Sequence, residues 1–384
     1  MANGRSAALK TLNRCFGKGG WSSQVLSSEI DMLDRREAAL ATRLALGVMQ
    51  NSMLLDFYID SYVLNPERLE LPVRNILRLG AYQILFSSRI PASAAVNSSV
   101  ELCREARLAS ASGLVNAVLR KISSAAAEEK LPQIPFSGAE RLSLLYSHPL
   151  WFVRRLVDSF GEAFAEAFLK ADNEEAPAEN HPAFAEGETY VQDGAAYASV
   201  RMARPKPGMR VLDACSAPGG KSFTCAVLMN NEGSITSCDI HEKKLRLVEE
   251  GARRLGIGII GTRPADASEF IPEFESAFDL VIADVPCSGF GVIRKKPEIR
   301  YKSESEIGNL PQIQKRILSN LSRYVVPGGT LLYSTCTVFP EENSGVVSGF
   351  LGDNSAFSLE AEKTFYPNTD GTDGFYAAVL HRTE

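Results

Sequence analysis

Two cysteines stand where apolar runs end. Cys287 falls in FDLVIADVPCSGFG (278–291) and Cys336 in LLYSTCTVFPEEN (331–343), with Asp284 just ahead of the first. A thiolate in such a place can attack an electrophilic carbon, provided its surroundings lower a pKa that is ordinarily about 8.5. The bland reading of either cysteine alone is a small buried apolar residue. The chain has seven cysteines, scattered and with no C-x-x-C pair, which argues against a disulfide framework and against a zinc site. No metal is expected.

The elements that must place these thiols are short strands alternating with helices. From about residue 208 the apolar runs MRVLDAC, GSITSCDI, IGIIGTR, FDLVIADV and GTLLYSTC are separated by helical stretches such as HEKKLRLVEEGARRLG and LPQIQKRILSNLSRYVV. That alternation predicts a parallel sheet covered on both faces. Ligands of such sheets sit beyond the carboxyl ends of the strands. DACSAPGGK, CDI, ADVPCSG and STCT then share one rim, and both cysteines face the same crevice.

The first of these turns, VLDACSAPGGKSF, reads as strand, Gly-rich turn and helix, which suits a close backbone approach to a ligand and leaves free N–H groups at the helix start. It is not a P-loop, because that motif needs a glycine where this chain has Cys215, and it is not G-x-G-x-x-G. Asp239 ends the next strand, 20 residues after Gly219, where a carboxylate can accept both hydroxyls of a ribose. Asp266, in RPADASEF, is placed to meet an adenine edge. Either aspartate alone could be a helix N-cap. The set together predicts a nucleoside cofactor.

The front of the chain has another texture. Leu44, Val48, Leu55 and Ile59, then Ile76, Leu77, Tyr82 and Leu85, then Leu114, Val118 and Ile122 recur at helical spacing with no strand-like alternation between them. An all-α domain is expected over 1–128, a linker and short helical segment over 129–190, and the α/β domain over 191–384. Apolar content of 45%, no apolar run long enough to span a bilayer and no signal-peptide pattern predict a cytoplasmic protein with no membrane partner. Net charge is −5, yet residues 1–128 carry 15 Lys/Arg against 11 Asp/Glu, and the rest 26 against 35. A mildly basic front half on an acidic chain points weakly to a nucleic acid. The loop GVIRKKPEIRYK, with Arg294, Lys295, Lys296, Arg300 and Lys302, follows Cys287 closely and reads as a phosphate clamp, or else as an ordinary solvated loop.

DACSAPGGK, ADVPCSGFG and YSTCTVFPEEN resemble three signature motifs of the RNA cytosine carbon-5 methyltransferases of the RsmB/NOL1/NSUN family. LRLGAYQILF, IPASAAVNSSVELC and GLVNAVLRKI resemble the NusB fold, and TDGFYAAVL resembles the family's last strand. The resemblance covers nearly the whole chain. It implies a NusB-like RNA-binding domain followed by a Rossmann-like methyltransferase domain with a mostly parallel sheet, as in the 16S rRNA enzymes of RsmB type. It further implies S-adenosylmethionine held by Cys215, Ser216, Ala217, Pro218, Gly219, Gly220, Lys221, Asp239, Asp266 and Asp284. Cys336 would be the nucleophile that adds to the base, Cys287 the residue that helps release the product, and Asp284 the group that holds the amino edge of the base, which must be flipped out to reach them. RNA is the expected partner, small-subunit rRNA first and tRNA second, and the chain is expected to be a monomer. A non-enzymatic RNA-binding or assembly factor is the alternative of another class, and a nicotinamide oxidoreductase is disfavoured by the missing G-x-G-x-x-G. The sequence departs from the family where NEEAP and EGETYVQD nearly abut, joined by AENHPAFA: a small RNA-binding subdomain that usually separates them is expected to be largely missing. The family's NEAV also reads NSSV here (Asn97–Val100).

Overall fold

The computed structural model describes residues 3–19, 22–174 and 189–383. The junction AENHPAFA, where the subdomain is expected to be missing, lies outside the described residues. The chain divides into two compact units, one of Met1–Glu174 with Ile293–Lys302, the other of Glu175–Val292 with Ser303–Glu384.

The first unit is helical. Its first long helix, Gly4–Lys18, is capped by the Asn3 side chain, which accepts from the Ser6 N–H, and ends on Gly19 at φ 68°. Asp34 caps Arg35–Gln50 by accepting from the N–H groups of Arg36 and Glu37. These helices pack with Leu71–Phe86, Ala92–Glu105 and Ser112–Ala127 around a core that holds Leu44, Val48, Leu55, Ile59, Ile76, Leu77, Tyr82, Val118 and Ile122. Each fully buried leucine or isoleucine contributes about 1.5–3 kcal/mol relative to exposure. Leu85 is only partly buried, and Leu114, expected inside, is 39% exposed. The buried stripe of its helix is Val115, Val118, Leu119 and Ile122, and Leu114 lies one position, about 100°, off it.

The helical unit does not stop near residue 128. Helices Gly138–Tyr146, Leu150–Phe160 and Glu162–Asp172 belong to it. Buried His148 joins them, with Nδ1 2.7 Å from the Tyr146 carbonyl and Nε2 3.0 Å from Asp172 Oδ2. Burial, with the nearby Arg300 charge adding, pulls the His148 pKa to about 4, so the ring is neutral at pH 7.

The second unit carries a seven-stranded sheet: β1 Arg210–Asp213, β2 Ser234–Asp239, β3 Ile260–Pro264, β4 Phe278–Asp284, β5 Val325–Thr335, β6 Phe357–Phe365 and β7 Phe375–Arg382. The order is β3-β2-β1-β4-β5-β7-β6; β1 to β5 pair in parallel, and β7 runs antiparallel between β5 and β6. Side chains alternate between two cores. Leu280 and Ile282 of β4 face helices Gly194–Ala203 and Gly220–Leu228, whereas Val281 and Ala283 face Leu310–Ser322 and Ser344–Asp353. This is the expected Rossmann-like layering. Strand β6 is additional to the sequence reading: residues 358–363 are exposed along this edge strand, so its sequence shows no apolar run and no clean alternation.

Candidate active site

The strand order reverses beside β1, between β2 and β4, and the crevice opens there at the carboxyl ends. A cavity of about 410 Å³ lies at that rim, lined among others by Cys215, Asp239, Asp266 and Pro286. Each of these lies at or just past the carboxyl end of a different strand, as the alternation of elements requires.

Local chemistry shapes the cavity. Ser216 N–H donates to the Cys238 carbonyl at 2.7 Å, which draws the turn after β1 against the end of β2. Gly219 adopts φ +112°, and a Cβ there would come within 2.5 Å of the Phe223 ring, so only glycine fits. Ser216 through Gly220 carry the chain from Cys215 onto helix Gly220–Leu228. Asp239 Oδ1 accepts from the His241 N–H at 2.8 Å. Asp266 Oδ1 accepts from both the N–H and the hydroxyl of Ser268, and these bonds hold its pKa below the usual carboxylate range. Burial, reinforced by the Asp284, Asp213 and Asp239 charges, pushes the Cys215 thiol far up, so it stays protonated.

Carboxylates at the ends of β2 and β3 and apolar walls suit a nucleoside, whereas Ser216 to Lys221, expected to hold it, are not among the lining residues. Among the wall residues that escaped sequence reasoning are Ile240, 62% exposed, and Ile313, 39% exposed. The signal for Ile240 was available, an apolar residue directly after the strand-ending acid.

Asp284 is not in the cavity wall. It ends β4, where Oδ2 accepts from Lys221 Nζ and Oδ1 from Ser334 Oγ, both at 2.7 Å. Burial opposes the Lys221 charge, but Asp284 and Asp213 outweigh it and hold the pKa above the ordinary lysine value. The same ammonium is within electrostatic reach of Cys336. Asp213 is fully buried, accepts from Ser222 Oγ at 2.7 Å, and is pushed up to about 6, chiefly by burial.

The two cysteines meet. Cys287 Sγ lies 3.2 Å from Cys336 Sγ, and both are free thiols, half-buried. Their proximity follows from β4 and β5 being parallel neighbours, with Asp284 opposite Ser334. Gly291 N–H donates to the Cys336 carbonyl at 3.0 Å, and Gly374 N–H to the Gly291 carbonyl at 2.8 Å. A Cβ on Gly291 would lie 1.8 Å from the Gly374 oxygen, so these backbones can approach only as glycines. The Cys287 thiol is pushed well above its ordinary pKa, first by its hydrogen bond to Cys336 and then by burial.

The basic segment differs from expectation. Arg300 is 3% exposed. Its Nη1 lies 2.6 Å from the Gln50 carbonyl and 3.2 Å from those of Tyr146 and Ser147, and Nη2 donates to Asn173 Oδ1 at 2.7 Å. It caps the carboxyl ends of helices Arg35–Gln50 and Gly138–Tyr146, so it is committed to the interior of the helical unit rather than to a phosphate. The carbonyls of Arg294 and Lys302 accept from Gln50 Nε2 and Trp151 Nε1. Lys295 and Lys296 are exposed.

A fold and a site of this kind define a nucleoside-dependent transferase, and comparison with known proteins specifies it. Residues 200–381 match the family described as 16S rRNA methyltransferase RsmB/F, and residues 2–124 match the NusB family. The probable ribosomal RNA small subunit methyltransferase B of Bacillus subtilis (strain 168) is 32% identical over 445 aligned positions, which cover 98% of each chain. The ribosomal RNA small subunit methyltransferase B of Klebsiella pneumoniae subsp. pneumoniae is 29% identical, again over 98% of each. Among solved structures, that of PH0851 superposes with a TM-score of 0.79 at 25% identity over 99% of both chains. NSun6 from Pyrococcus horikoshii with SFG gives a TM-score of 0.50 at 28% identity over 54% of this chain and 57% of that one. The chain belongs to the RsmB/F family and is an S-adenosylmethionine-dependent methyltransferase. The 445 aligned positions exceed its 384 residues, so at least 61 of them have no counterpart here.

Proposed function

We propose that this chain methylates carbon 5 of a cytosine in small-subunit rRNA through a covalent cysteine–cytosine adduct. The observation that carries the reading is the pair of free thiols 3.2 Å apart, with Pro286, the neighbour of Cys287, in the wall of the cofactor cavity.

Carbon 5 of cytosine is too weakly nucleophilic to take a methyl group from a sulfonium. Addition of the Cys336 thiolate to carbon 6 forms an S–C bond and shifts the C5–C6 electron pair onto carbon 5, which becomes enamine-like. The bound cofactor supplies an electrophilic methyl group. Asp284, fixed by Lys221 and Ser334, holds the amino edge of the base. Once carbon 5 carries both methyl and hydrogen, the Cys287 thiolate takes the proton. The C5–H pair restores the double bond, the S–C6 bond breaks, and Cys336 recovers its electron pair as thiolate.

Asp239 is assigned to the ribose. Asp239→Ala is expected to weaken S-adenosylmethionine binding by about 1.5–3 kcal/mol, the range for hydrogen bonds to a charged group. Unchanged affinity by calorimetry would remove the assignment.

With Arg300 committed to the interior, the phosphate clamp is assigned to the rest of the basic segment, and exposed Lys295 and Lys296 test it. Their joint replacement by alanine is expected to weaken RNA binding and to flatten its salt dependence by about 0.7 per lost contact on single-stranded RNA. An unaltered slope would leave the segment a solvated loop.

The function itself is tested by bisulfite sequencing of rRNA and tRNA from a strain lacking the gene. One cytosine of small-subunit rRNA is expected to lose its protection. Loss confined to tRNA would move the substrate, and no loss in either would favour an assembly factor.

A further inference from the structure

We propose that Glu342 and Gln314 form a clamp that positions Cys287 for product release, an inference that rests on the covalent reading above. Glu342 follows Cys336 in a short turn and is 1% exposed. Its Oε2 accepts from the N–H of Ser288 at 2.9 Å, the residue after Cys287. The same oxygen accepts from Gln314 Nε2 at 2.9 Å, and that nitrogen also donates to the Pro286 carbonyl at 3.0 Å, the residue before Cys287. The backbone on both sides of Cys287 is therefore gripped by one carboxylate–amide pair. The hydroxyl of Ser288 adds a bond to Thr337 Oγ1 at 2.8 Å, on the chain just past Cys336.

The grip is one-sided. Cys336 follows the end of β5 and is fixed by the sheet and by the Gly291 N–H. Cys287 lies beyond β4 in a stretch without regular structure, so its sulfur depends on the clamp. Burying a carboxylate is expensive unless hydrogen bonds compensate, and hydrophobic packing alone would fill this space at lower cost. Orienting the Pro286–Ser288 turn gives the charge a purpose. Releasing the clamp should spare attack by Cys336 and impair only the later proton removal.

The test uses the full chain with S-adenosylmethionine and an RNA substrate, with Glu342→Ala, Gln314→Ala, Glu342→Gln and Cys287→Ala run in parallel. Glu342→Ala and Gln314→Ala are expected to bind the cofactor within about threefold of the parent and to turn over more slowly by on the order of 100-fold, as a displaced reacting group does. They should also accumulate a protein–RNA species that survives denaturing electrophoresis. Glu342→Gln keeps an acceptor for the Ser288 N–H and should turn over without accumulating it. If Glu342→Ala and Gln314→Ala lose cofactor binding and trap nothing while Cys287→Ala traps RNA, the pair merely supports the fold and the clamp is overturned. Accumulation by Glu342→Gln would equally overturn a positioning role. If Cys287→Ala itself traps nothing, the release role of Cys287 falls and the clamp with it.

Discussion

Cys336→Ser is expected to abolish methylation while leaving S-adenosylmethionine affinity intact. The reason lies in the order of bond making. Carbon 5 cannot accept the methyl group until carbon 6 has been attacked, so no later group can compensate for a missing nucleophile. Serine keeps nearly the size of cysteine but has a hydroxyl that hardly ionises near neutral pH, even with the Lys221 ammonium close by. Cys336 is not among the residues lining the cofactor cavity, so binding of the methyl donor should survive. Transfer of a radiolabelled methyl group to RNA measures the first expectation and calorimetry the second. A serine variant that still methylates at a rate comparable with the parent would remove Cys336 as the nucleophile.

Cys287→Ala is expected to do the reverse: to attack, to methylate, and then to hold its product. The resulting protein–RNA species should be visible on a denaturing gel as a band of retarded mobility. It should contain the transferred methyl group and should disappear in the Cys287→Ala, Cys336→Ser double variant, because nothing remains to make the S–C bond. If both cysteines were only packed apolar residues, each single variant would lose stability and neither would trap RNA. If Cys336→Ser traps RNA and Cys287→Ala does not, the two roles are reversed. A sulfur separation of 3.2 Å lets one sulfur bond to carbon 6 while the other works at the adjacent carbon 5.

Much of this was legible in the sequence because the signals are local. The helical period of Leu44, Val48, Leu55 and Ile59 reports one buried face whatever it packs against, and those residues are buried. The apolar runs of β1 to β5 are continuous because both faces of the sheet are covered. The alternation of strand and helix then placed Asp239, Asp266, Asp284 and both cysteines at one rim before any coordinate was known, since a parallel sheet has only one carboxyl end. β6 gave no such signal because its exposed edge residues need not be apolar.

Which charged group meets which was decided only by tertiary structure. Arg300 stands in a basic loop and reads as a phosphate ligand, yet it lies against three helix-end carbonyls that are between 153 and 250 residues away in sequence. Glu342 stands in the acidic PEEN stretch after Cys336, and nothing local shows that it is buried against Ser288, 54 residues earlier. Composition and period set what a segment can do by itself, and they reported the strands and the glycine turn. The partners of a buried charge depend on long-range packing, where desolvation must be repaid by groups the local sequence does not contain, and that is why the setting of Cys287 could be read only from the folded chain.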